Sequence, residues 1–235
     1  TYLTVIVIVN SFNLIDGVDG LAGSLGFMAT IIFGIYFLMA GMLAYSILAF
    51  SLAGSLLAFL IFNFQPAKIF MGDTGSMLVG LINSILVIKF ISVANSATLD
   101  FHIDAAPAIG FSILMIPLLD TLRVFAIRIF HRRSPFSPDR NHIHHLMLEK
   151  GLSHRTITLS LLLFNFSVFA ASVIFSKWGC TLLVLAMAAL FFTAIGILYY
   201  TRPKPRLFVA RVLKQGTTKT TVVPLTGESI LEQKN

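Results

Sequence analysis

Asn10, Asn13, Asp16 and Asp19 recur at every third residue in the run NSFNLIDGVDGLAGSLG. On a helical or near-helical turn that spacing gathers the polar groups on one face. Two Asp-Gly steps then break the helix and leave the carboxylates at a junction between spans, where Gly17, Gly20, Gly23 and Gly26 let backbone approach a phosphate or nucleotide closely. The competing reading is a turn with helix caps, where Asn, Asp and Gly are favoured anyway. A second cluster, NFQPAKIFMGDTGSMLVG, sets Asp73 between Gly72 and Thr74-Gly75-Ser76, just ahead of an apolar run. A carboxylate there can hold Mg²⁺ with positions left open for phosphate oxygens. Its plainer role is to cap a helix starting near Gly75. The third cluster, SPDRNHIHHLMLEKG, crowds Asp139, Arg140, His142, His144 and His145 into one segment. Zinc spacing is absent. A cationic, hydrogen-bonding pocket for a pyrophosphate accounts for Arg140 better, and a solvated loop is the plain alternative.

The elements that position these clusters follow from composition. The chain has 235 residues, of which 57% are apolar and 11% charged. An ordinary soluble domain carries about 25% charged residues. A soluble globular domain, a disordered chain, a coiled coil and a disulfide-stapled module are therefore excluded, the last because Cys180 is the only cysteine. A membrane span needs about 20 mostly apolar residues. Six such runs are predicted, at Leu21–Ala40, Met42–Phe62, Ser76–Ala94, Ala106–Ile127, Thr156–Phe175 and Cys180–Tyr200. A seventh run, Tyr2–Val9, is too short to cross. The expected architecture is an all-α, polytopic transmembrane bundle over residues 1–200, followed by a basic tail over 201–235. Within the Ala106–Ile127 span, Asp120 stands three residues before Arg123, and the pair is equally well read as structural or functional.

Threading the six spans puts the basic loop Arg128–Arg155, the basic tail and all three clusters on one side, which the positive-inside rule makes cytoplasmic. The net charge of +7 is thus read as loop charge, not as nucleic-acid binding. Chemistry is expected at the cytoplasmic face. A transporter would place its polar residues near the bilayer midplane instead.

Four stretches in order, NSFNLIDGVDGLAG, PAKIFMGDTGS, IPLLDTLRV and PDRNHIHHLML, make the chain resemble the polyprenyl-phosphate N-acetylhexosamine-1-phosphate transferases. These bacterial membrane enzymes move a sugar-1-phosphate from a UDP-sugar to a lipid phosphate and release UMP, with Mg²⁺ or Mn²⁺. The resemblance implies Asp73 as the main metal-binding carboxylate, with Asn13 and Asp16 near metal and diphosphate. It implies Asp19 as a nucleoside contact, and Asn63 and Phe70 on the uracil side with Phe70 stacked on the base. Arg140, His142, His144 and His145 would form the diphosphate- and sugar-side loop, with Asp16, Asp73, His144 and His145 as the catalytic set. The implied partners are a UDP-sugar, undecaprenyl (polyprenyl) phosphate and a second copy in a homodimer, without nucleic acid. The implied location is the bacterial cytoplasmic membrane.

The spacing His142-Ile143-His144-His145 is similar to the branch that uses UDP-N-acetylglucosamine to begin O-antigen and related chains. The branch that uses a muramyl-pentapeptide nucleotide usually carries three consecutive histidines and is the alternative. The family also has an adjacent aspartate pair upstream of the first motif, and no Asp-Asp pair occurs here. With Thr1 first and a short opening run, the expectation is the C-terminal part of a longer protein, inactive alone. A degenerate, inactive membrane protein is the reading from another class.

Overall fold

A computed structural model of the chain describes residues 1–94, 103–132, 134 and 142–201. Among the described residues the structure is helical, with no strand. The helices are α1 (Tyr2–Ile15), α2 (Leu21–Met39), α3 (Leu43–Asn63), α4 (Gly72–Val93), α5 (Ala106–Ile113), α6 (Met115–Phe130), α7 (Ile143–Leu148), α8 (His154–Ile174) and α9 (Cys180–Tyr200). Five of them (α2, α3, α4, α8 and α9) are long and apolar enough to cross a membrane. In lipid, a chain must satisfy its own backbone polar groups, and a helix does so within one segment. The chain has the surface expected of such a bundle. Leu57, Ile61, Leu163, Phe166, Leu185 and Ile197 are exposed, while Ser24, Ser76, Asn83, Ser112, Asn165 and Ser172 are buried between helices.

Five predicted spans match these helices closely, and one expectation is corrected. The segment Ala106–Ile127 is not one continuous helix, because it breaks at Leu114 into α5 and α6. Pro117, which lacks an N–H, sits just past the break. Beyond the apolar run Tyr2–Val9, α1 continues through the polar cluster to Ile15 and ends at Asp16, where the first Asp-Gly step stands. Asn10 Nδ2 donates to the Ile6 carbonyl at 2.8 Å and Ser11 Oγ to that of Val7 at 2.7 Å, so these polar side chains bond back onto their own helix.

Packing then brings the clusters together. Helix α1 lies against α4 so closely that a Cβ on Gly80 would stand 2.7 Å from Val9 Cα. Only glycine permits that approach. Helix α1 also packs on α6, α2 pairs with α3, and α5 packs on α8 and α9. The aromatic core of Phe33, Tyr36 and Phe90 locks α2 to α4, with the Tyr36 and Phe90 centroids 4.6 Å apart. The α1–α4 contact sets the C-terminal end of α1, with Asn13 and Asp16, beside the N-terminal end of α4, with Asp73.

Candidate active site

Asp73 occupies the first turn of α4, which begins at Gly72, so it lies inside the helix and does not cap it from outside. The unpaired N–H groups and the positive end of the dipole favour an anion there. Asn13 Nδ2 donates to Asp73 Oδ1 and to Ser76 Oγ, each at 3.1 Å. This bridge joins the first and second clusters across 60 residues of sequence. Asp16 is the C-cap of α1. Burial, and then the charge of Asp73, push its carboxyl up to about 6. Two carboxylates are therefore held together with one carboxamide. Among the described residues, no cation pairs with either of them.

A divalent metal would need oxygen donors here, and the three side chains supply them. No group of three His, Cys, Asp or Glu side chains converges among the described residues. That argues against an all-protein cage and fits Mg²⁺, which is usually held by one or two carboxylates together with substrate phosphates and water. The Asp16 carboxyl is raised first by burial and then by the charge of Asp73. The donor set thus fits the group that the resemblance implies.

The third cluster folds over the first. A Cβ on Gly17 would stand 2.4 Å from His144 Nε2, so the imidazole rests directly on the glycine that follows Asp16. The His142 and His144 rings stack 5.7 Å apart, and the half-buried His145 ring lies 4.3 Å from that of His144. His142 and His144 are buried, and their Nε2 and Nδ1 atoms respectively have no hydrogen-bond partner among the described residues. Burial first, and then the neighbouring His145, hold the His144 pKa down to about 3. This environment favours the neutral imidazole. Arg140 lies outside the described residues.

Asp120 anchors this turn. Its carboxylate, fully buried on α6, accepts from Arg123 Nη2 at 2.8 Å and from the backbone N–H of Ile143 at 3.0 Å. Its other oxygen lies 2.8 Å from His142 Nδ1. The pairing with Arg123 was legible from the sequence; the grip on the histidine turn was not.

Asp19, Asn63 and Phe70 lie on the other flank. Asn63 is buried, and both ends of its amide are engaged inside the protein. Its Oδ1 accepts from Gly20 N at 2.8 Å and its Nδ2 donates to the Ile69 carbonyl at 2.7 Å. It therefore ties the glycine-rich loop to the segment that presents Phe70, whose ring is 78% exposed. Asp19 is fixed from α8: Thr158 Oγ1 donates to its carbonyl at 2.9 Å, and His154 Nδ1 lies 3.3 Å from its Oδ2. His154 was not singled out in the sequence. Ser153, which caps α8, was the available signal that a helix end and its first residue would face this loop.

Comparison with known proteins finds related sequences. Residues 1–91 match the model of glycosyl transferase family 4. A probable undecaprenyl-phosphate N-acetylglucosaminyl 1-phosphate transferase of Bacillus subtilis is 38% identical over 177 residues, 75% of this chain and 47% of that protein. A decaprenyl-phosphate N-acetylglucosaminephosphotransferase of Mycobacterium leprae is 42% identical over 168 residues, 66% of this chain and 42% of that protein. An undecaprenyl-phosphate alpha-N-acetylglucosaminyl 1-phosphate transferase of Escherichia coli K12 is 32% identical over 151 residues, 63% of this chain and 39% of that protein. The chain is similar to glycosyl transferase family 4 over residues 1–91 and spans less than half the length of these curated relatives.

Proposed function

We propose that this chain works in the transfer of N-acetylglucosamine-1-phosphate from UDP-N-acetylglucosamine to a polyprenyl phosphate, with release of UMP at the cytoplasmic face. The observation that carries the reading is the carboxylate pair Asp16 and Asp73, without a counterion among the described residues, at one end of a membrane bundle beside a buried histidine turn. The names of the relatives favour N-acetylglucosamine over a muramyl-pentapeptide nucleotide.

The geometry supports a division of labour. Asp73, Asp16 and Asn13 would hold Mg²⁺, which when bound supplies positive charge to a diphosphate. The lipid phosphate attacks the β-phosphorus and UMP departs, so transfer consists mostly of positioning and charge stabilisation. Asn13 orients Asp73 and fixes α1 to α4. Phe70 offers an exposed ring for the uracil. Gly17 gives the His144 ring room to lie over the loop, and the neutral imidazole is suited to hydrogen-bond a sugar or phosphate oxygen.

The test is UMP release from membranes carrying the protein, with UDP-N-acetylglucosamine and a polyprenyl phosphate. Release that depends on both substrates and on a divalent cation is expected. Release that a muramyl-pentapeptide nucleotide supports equally well would overturn the sugar assignment.

A further inference from the structure

The break at Leu114 frees backbone groups in the middle of a buried helix. In an unbroken helix the Ile116 N–H would donate to the Ser112 carbonyl, and residue 117 would donate to that of Ile113. Pro117 has no N–H to give. Asn165, fully buried on α8, answers all three groups. Its Oδ1 accepts from the Ile116 N–H at 3.0 Å. Its Nδ2 donates to the Ile113 carbonyl at 2.9 Å and lies 3.4 Å from that of Ser112. Ser112 Oγ and Ser172 Oγ, 2.8 Å apart, pin the same two helices one level away. Left unsatisfied in an apolar interior, groups of this kind cost several kcal/mol.

Asp120 stands one helical turn beyond Ile116 and so shares its face of α6. The direction in which α6 leaves the break therefore decides where Asp120 meets His142 and Ile143. We infer that Asn165 is a positioning residue for the histidine turn: by replacing the hydrogen bonds lost at the break, it fixes the aim of α6. Its consequence for transfer rests on the function proposed above, but the placement of the turn does not.

The experiment reads that placement directly. In a Cys180→Ala background, Gly17→Cys and His144→Cys are joined by a short bifunctional thiol reagent, and the yield is compared with and without Asn165→Leu. Losing one or two kcal/mol of positioning should lower the yield roughly fivefold to thirtyfold. Because Asn165→Leu alone can simply unfold the bundle, the deciding variant adds Pro117→Ala. Its new N–H can reach the Ile113 carbonyl and let Ser112 and Ile116 pair. The expected result is a melting temperature restored toward that of the parent, with the crosslink still weak because a straightened helix carries Asp120 away. A parent-level crosslink in either folded variant would overturn the inference. A double variant as unstable as Asn165→Leu would also overturn it, because the groups freed at the break would then not be what Asn165 serves.

Discussion

Asp120 and Asp73 are both carboxylates at one end of the bundle, and their surroundings are opposite. Asp120 is sealed from solvent and meets Arg123, His142 and the Ile143 N–H. Asp73 is exposed, receives only Asn13 among the described residues, and faces the charge of Asp16. A carboxylate whose valences are all used holds structure together. One kept beside a like charge suits the cation proposed above. The chain thus contains a scaffold aspartate and a pair with open oxygens, and partners distinguish them better than spacing does.

The largest effect expected is on the scaffold side. Asp120→Ala breaks a buried ion pair with Arg123 and removes the acceptor of the Ile143 N–H, a change that costs about 3–5 kcal/mol. Thermal unfolding in detergent should show a clear fall in melting temperature with the nucleotide absent. Asp73→Asn should do the reverse. It should leave melting unchanged or improved and lower UMP release by roughly 10²–10³, the range for losing one group that stabilises transition-state charge. A loss of both stability and activity from each variant would erase the distinction.

A smaller change is expected at the rim. Phe70→Ala should raise the KM for the UDP-sugar more than it lowers kcat, because stacking on a base binds ground and transition states alike. The stack is worth about 1–3 kcal/mol. Phe70→Tyr should be mild in the same steady-state assay.

The smallest effect concerns pH. Asp16 ionises only as pH rises through about 6, so cation binding and transfer should fall as pH drops through that value. The stability term has the opposite sense. Because the folded pKa is raised, the folded protein keeps a proton that the unfolded chain has lost between roughly pH 4 and 6. Stability therefore declines as pH rises across that window, and Asp16→Asn should flatten the decline in melting scans. The carboxyl is partly exposed, so solvent screening keeps this effect modest.

Much of the architecture was legible because lipid imposes a simple rule. Leu21–Ala40, Met42–Phe62 and Cys180–Tyr200 are long apolar runs, and their helices fall within a residue or so of those bounds. The three polar clusters were legible as one site for the same reason, since spans returning to one side must bring their ends together. What escaped the sequence depends on contacts through space. Asp120 reaches His142 across 22 residues, and Asn165 mends a break 49 residues earlier in the chain at Ile116. Pro117 was a visible sign of that break, but hydropathy alone carried the run straight through it. The end of α1 was legible in the Asp-Gly step at Asp16, but the bonds of Asn10 and Ser11 back to Ile6 and Val7 were not.

The central claim is that Asp16 and Asp73 form a cation site while Asp120 does not, and Mn²⁺ binding tests it most directly. The chain in detergent is titrated with Mn²⁺ at pH 7.5 and free ion is followed by electron paramagnetic resonance, for the parent, Asp73→Asn and Asp120→Asn. One bound ion is expected in the parent, with affinity at least about tenfold weaker in Asp73→Asn, since losing a carboxylate ligand costs more than 1.4 kcal/mol. Folded Asp120→Asn should bind as the parent does. Equal Mn²⁺ affinity in the parent and Asp73→Asn would contradict the account.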